Sequence, residues 1–195
     1  MLTKKLVEEH PVNMEMLAAE VLLTWKDLME TKILGQCIIN DIGASAQTLG
    51  SLLHSVLPSV VDRISNMTWR KESHKADKDI VCVSNDRYSF EVKTSSDKNK
   101  IFGNRSFAQE AGNNDDKTSR DGYYLAINFE KTKEAARLSR KPEILKIAFG
   151  YLEHSDWIAQ KSSKGQAAYL SPTTYQTKFI TLYEQSNKHL QNTLF

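Results

Sequence analysis

The sequence predicts an α/β domain, a sheet of four or more strands flanked by helices with a helical N-terminal third, and three observations carry that expectation. Apolar residues in the first 65 positions recur at spacings of three and four. From residue 80 the period shortens to two, in segments rich in β-branched and aromatic residues, and no linker or internal repeat divides the chain. Helices first and strands afterwards, in 195 residues that are 40% hydrophobic, suit one domain with one good-sized core. Its parts are a helical stretch over 1–70, a sheet with polar loops over 75–170 and a C-terminal helix over 173–195.

Met14, Leu17, Val21, Trp25 and Leu28 form the apolar stripe of a first helix, with Asn13 placed to cap its start and Gly35 to end the segment. Leu49, Leu52, Leu53, Val56 and Leu57 mark a second helix, which Pro58 is expected to break before Val60, Val61 and Ile64 continue as a further short one. Ile80–Val83 and Tyr88–Lys93, separated by Ser84-Asn85-Asp86, read as a β-hairpin. Tyr123 to Phe129 and Ile144 to Leu152 are two more strands, preceded by a turn-rich stretch from Gly112 to Gly122. Thr173 to Leu190 reads as a helix.

Cys37 and Cys82 stand far apart and lack CxxC spacing, so neither a disulfide framework nor a zinc knuckle is expected. The N-terminal run MLTKKLVEEH is charged where a signal peptide needs apolar residues, and no stretch reaches the roughly 20 apolar residues of a membrane span. The expectation is a soluble, cytoplasmic protein with no membrane association. Residues 1–30 hold three Lys against six acidic residues, whereas 131–195 hold ten Lys or Arg against five acidic ones. A polyanion would meet the second half, although asymmetry of this size also arises as scatter on a solvated surface.

Alternation along the hairpin puts Ser89, Glu91 and Lys93 on one face and Tyr88, Phe90 and Val92 on the other. A three-residue loop at 84–86 pairs Val83 with Arg87 and, counting outward, sets Asp79 opposite Glu91 on the charged face. Carboxylates roughly 5 Å apart repel unless a cation neutralises them. A magnesium ion, with manganese as a substitute, takes oxygen ligands and keeps open positions for a phosphate oxygen and an attacking water. Lys93 would add positive charge where the phosphate accumulates negative charge. The opposing reading is a salt-bridged surface hairpin.

An acid at the head of one strand followed by Glu-x-Lys in the next resembles the PD-(D/E)xK nuclease superfamily. Here the pieces are Asp79-Ile80-Val81-Cys82-Val83 and Glu91-Val92-Lys93, with Lys78 where the superfamily often has proline. The run from IFGNRS through GYYLAINFE and IAFGYLEHSDWIAQ to GQAAYL is similar to type II restriction endonucleases and, to a lesser degree, to the ScaI family. The resemblance spans roughly residues 75 to 170. It implies a restriction-endonuclease-like central mixed sheet and a homodimer that cuts both strands of a short palindrome in double-stranded DNA.

The polar stretch 94–106 has groups suited to tracking DNA, since Lys and Arg neutralise phosphates while Asn, Gln and Arg pair with base edges. Ser95, Lys98, Asn104, Arg105 and Gln109 are the candidate contacts there, and Gln160 and Gln166 in a second polar stretch over 155–166. An ordinary solvated loop is the alternative for both. Glu20, at the edge of the first helical stripe, is a candidate auxiliary acid, though a solvent-facing role is the stronger reading. The five histidines show no ligand spacing, so surface or capping roles suffice. A repair or recombination nuclease with the same active site, and a non-catalytic nucleic-acid-binding domain, are the competing functions.

Overall fold

The computed structural model describes residues 2–39, 41–108, 120–160 and 167–185. The chain opens with α1 (Leu2–Glu8) and α2 (Met14–Glu30), whose Asn13 side chain accepts from the Met16 amide as a capping residue does. Of its predicted stripe, Leu17, Val21, Trp25 and Leu28 are buried and Met14 is half-buried. The helix stops at Glu30, not at Gly35. Gly35 instead turns a small hairpin of β1 (Lys32–Ile33) and β2 (Gln36–Cys37), with Leu34 and Gly35 both at positive φ, as a tight two-residue turn requires.

Ser45 then caps α3 (Ala46–Ile64), one continuous helix that contains Pro58 instead of breaking there. Proline removes one i→i−4 bond, to the His54 carbonyl, but Leu53, Leu57, Val60 and Val61 bury the helix on both sides of it. Tertiary packing overrides the local cost. α3 also comes very close to the sheet, since a Cβ at Gly50 would lie 2.6 Å from Oγ1 of Thr94.

Next come β3 (Trp69–Lys71), β4 (Ile80–Cys82), β5 (Phe90–Ser95) and β6 (Phe102–Asn104), followed by a 3-10 turn at Arg105–Ala108. The remaining elements are β7 (Gly122–Phe129), α4 (Thr132–Arg137), β8 (Ile144–Leu152), β9 (Trp157–Ala159), β10 (Ala167–Leu170), α5 (Pro172–Lys178) and β11 (Phe179–Glu184). Six strands make the central sheet in the order β11-β8-β7-β5-β4-β3, and only the β5–β7 pairing is parallel. The predicted mixed sheet flanked by helices, with a helical N-terminal part, is therefore present.

Two details of the sheet region depart from the sequence reading. The hairpin connection runs from Val83 to Ser89 and contains a 3-10 turn, Asp86–Tyr88, so Val83 and Arg87 do not pair. Asn85 caps that turn, and the Ser89 hydroxyl takes over a ladder position by accepting from the Cys82 amide. The helix expected from Thr173 to Leu190 is confined to Pro172–Lys178. The following residues, Phe179–Glu184, pair with β8 as an edge strand, and 186–190 lie outside the described residues.

β7 is buried on both faces, as a central strand should be. Tyr123, Leu125 and Ile127 face a core shared with α1, α2 and α3, while Tyr124 and Ala126 face a second core. That second core lies under α5 and a small three-stranded sheet ordered β6-β10-β9. Among the described residues no helix is long and apolar enough to cross a membrane.

Candidate active site

The β4–β5 ladder is short, with Ile80 opposite Phe90, and this register places Asp79 opposite Glu91 as counted from the sequence. Beyond it the strands part. In a regular antiparallel ladder the Val92 amide would meet the Lys78 carbonyl. It donates instead to Oδ2 of Asp79 at 2.8 Å. A backbone donor thus fixes the carboxylate at the fork where the two strands separate.

Glu91 and Lys93 project from β5 toward the second core, because their β7 partners are Tyr124 and Ala126. The Lys93 ammonium lies 2.6 Å from Oε2 of Glu91 and 3.6 Å from Oδ2 of Asp79. All three side chains are largely withdrawn from water, with Glu91 8% and Lys93 13% exposed. The structure brings together Asp79, Glu91 and Lys93, the three residues singled out in the sequence.

Two further side chains complete the surroundings. His54 of α3 places Nδ1 3.6 Å from Oδ2 of Asp79. Burial pushes the Asp79 carboxyl up, but the neighbouring His54, the Lys93 charge and the Val92 amide outweigh it and hold the group well below the usual carboxylate range. Lys78 reaches over Tyr124 and donates to the Asp121 carbonyl at 3.0 Å. Burial lowers its pKa, against the opposing pull of Glu91. Sequence reasoning found neither role: no spacing links residue 54 to residue 79, and Lys78 entered only as a departure from proline.

The donor set suits a hard divalent cation. Two carboxylates converge on one cationic group, the Lys93 ammonium, and oxygen is the ligand type that magnesium prefers. Among the described residues no group of three or more His, Cys, Asp or Glu side chains could hold a metal ion. A cation held by two carboxylates alone keeps most of its coordination sphere for water and substrate oxygens.

A groove of about 480 Å³ adjoins this cluster, lined among others by Gln47, Ser51 and His54 of α3 and by Thr94, Ser95 and Phe102. Of the residues expected to contact DNA, Ser95 lines the groove, and its hydroxyl accepts from the Asp97 amide. Lys98 is drawn into an ion pair with Glu184 at 3.0 Å. Asn104 and Gln160 are exposed, Arg105 begins the 3-10 turn, and Gln109 and Gln166 lie outside the described residues. Glu20 is not brought to the cluster. It pairs with Arg63, which lies two and a half turns beyond His54 on α3, roughly 13 Å along the axis.

Two of the histidines differ from their expected surface or capping roles, whereas His74 is exposed as expected and His189 lies outside the described residues. His10 is buried, and His54 stands beside Asp79.

Residues 1–183 match the family model described as ScaI restriction endonuclease. The chain is also 37% identical over 182 residues to the type II restriction enzyme ScaI of Streptomyces caespitosus, an alignment covering 93% of this chain and 78% of that protein. No solved structure matches.

Proposed function

The chain belongs to the ScaI restriction endonuclease family and is a type II restriction enzyme, and from that premise we propose that it hydrolyses phosphodiester bonds of double-stranded DNA at a short palindromic site through Asp79, Glu91 and Lys93. The observation that supports this assignment is the Lys93 ammonium seated between the two carboxylates at the fork of β4 and β5.

Asp79 and Glu91 would hold Mg2+, or Mn2+ in its place, which when bound supplies a polarised phosphate and a more acidic water. Val92 and His54 orient Asp79, so the carboxylate does not have to be ordered when substrate arrives. Lys93 keeps its ammonium beside the carboxylates and offers it to the phosphate as negative charge builds there. Ser95, Lys98, Asn104, Arg105, Gln109, Gln160 and Gln166 supply DNA contacts. Two copies related by a two-fold axis present two such sites to the strands of a palindrome in the cytoplasm.

Incubation with a long duplex DNA of known sequence in magnesium tests the proposal. Discrete fragments that disappear with a chelator are the expected result. A magnesium-dependent smear would indicate a repair or non-specific nuclease. Intact DNA with binding retained would leave a non-catalytic module.

A further inference from the structure

The small sheet beside the site carries a pattern that the sequence does not display. β10 pairs with both β6 and β9, and its register sets Tyr169 opposite Phe102 on one side and Ile158 on the other. Residues directly opposite share a face. Phe102, Tyr169 and Ile158 therefore form one row across three strands. Ala167 is opposite Asn104, and its carbonyl accepts from the Gln160 amide, so a second row reads Asn104, Ala167, Gln160.

The reverse face is packed except at its edge, where Ala159 is exposed. Trp157, Ala168 and Leu170 enter the second core there, and a Cβ on Gly103 would lie 2.8 Å from the Phe107 ring. On the outward face Phe102 is 41% and Ile158 40% exposed, and Asn104 and Gln160 are also exposed. This face continues into the groove that adjoins the cluster at His54, since Phe102 lines it together with His54 and Thr94.

We infer that this outward face is the base-reading head of the enzyme, with Asn104 and Gln160 pairing with adenine edges in the major groove and the Phe102–Tyr169–Ile158 row packing against thymine methyl groups. The inference rests on the endonuclease reading above and deepens it. A side-chain amide presents a donor and an acceptor side by side, the pattern that matches N6 and N7 of adenine. The small Ala167 between the two amides leaves both edges accessible. Three strands span roughly 10 Å, within the roughly 12 Å width of the major groove. Same-face residues along a strand are about 6.8 Å apart, close to two base-pair rises.

The test begins with the wild-type enzyme, whose cleavage sites are mapped on long DNA. Synthetic duplexes then carry either a G·C pair in place of each A·T pair of the site or 7-deazaadenine, which lacks the N7 acceptor. Asn104→Ala and Gln160→Ala, both exposed and checked by thermal melting, are compared on these substrates by kcat/KM. Each variant should lose roughly tenfold to a hundredfold on the cognate duplex. Each should also become indifferent to 7-deazaadenine at one position per half-site that penalises wild type.

Equal losses on every duplex would make the amides phosphate contacts and overturn the inference. So would unchanged discrimination, or a Phe102→Ser variant that alters sedimentation while discriminating normally, which would mark the row as a contact between copies. A wild-type enzyme without discrete cleavage sites would instead remove the endonuclease reading itself.

Discussion

Oδ2 of Asp79 accepts the Val92 amide at 2.8 Å and lies 3.6 Å from the Lys93 ammonium, so one carboxylate oxygen both ends the β4–β5 ladder and belongs to the charged cluster. The two roles separate by substitution. Asp79→Asn keeps an acceptor for Val92 but loses the negative charge that His54 and Lys93 stabilise, and it should abolish cleavage and melt earlier than wild type. Asp79→Ala should abolish cleavage as well and also strand a part-buried amide, at a cost of about 1–2 kcal/mol. Equal stability of the two variants would show that the Val92 bond contributes nothing, and full activity in either would remove Asp79 from the site.

Lys93 is the only cation within 4 Å of Glu91 among the described residues, and it neutralises Asp79 as well. Lys93→Met should therefore leave two mutually repelling carboxylates and melt earlier than wild type in a chelator. A divalent ion then relieves more repulsion in the variant, so magnesium or calcium should raise its melting temperature further than that of wild type. Cleavage should slow at least a hundredfold while DNA binding in calcium persists, because one phosphate contact is small beside many. Identical metal-induced shifts in the two proteins would contradict this account.

The strands that carry the site were legible because their alternation is regular: Phe90 and Val92 are buried in one core while Glu91 and Lys93 face the other side, as period two requires. β7 and β8 were legible for a different reason, as runs too apolar to be exposed. Pro58 misled because its local preference for breaking a helix is opposed by burial of Leu53 and Leu57, which only the tertiary fold reveals. The end of the chain misled because Phe179–Glu184 lacks turn residues at its boundary with α5, and a helix and an edge strand then look alike. Asn104 and Gln160 were singled out as loop residues. That they share one face across Ala167 depends on strand register, which has no signature in a single sequence.

His10 supplies an acid-sensitive element. Its Nε2 donates to the Tyr88 carbonyl at 2.9 Å, its Nδ1 accepts from the Val12 amide, and Tyr123 and Phe149 pack edge-on against its ring. Burial lowers its pKa from 6.5 to about 4, only partly offset by the Tyr88 carbonyl. The unfolded chain thus takes up this proton near pH 6.5 and the folded protein only near pH 4. Stability is unaffected by His10 above pH 6.5 and falls as pH drops from there to about 4, by about 3 kcal/mol in total. Urea unfolding of wild type and His10→Gln at pH 7 and pH 4.5 measures it: the variant should lose less stability on acidification, and parallel losses would refute the assignment.

Asn128 makes the last prediction, because it ties the sheet to the turn that leads toward the outward-facing strands. It is fully buried on β7 opposite Ser95, and its amide nitrogen donates to the carbonyls of Asp97 and Lys100 at 2.7 and 2.8 Å. Its amide oxygen accepts from the Tyr175 hydroxyl at 2.7 Å, so both N–H donors and the amide oxygen of the side chain are directed at fixed partners. Asn128→Asp replaces the donor with an oxygen facing two carbonyls and should cost about 2–4 kcal/mol, whereas Tyr175→Phe, which removes one bond, should cost about 1 kcal/mol. A double variant that joins Tyr175→Phe to Asn128→Ala should fall short of the sum of its single losses, since both of those changes remove the Tyr175–Asn128 bond. Additive losses would show that Tyr175 does not hold Asn128. Because the held turn leads into β6, Asn128→Asp should also reduce cleavage at the cognate site more than Tyr175→Phe does, which steady-state kinetics on one duplex would measure.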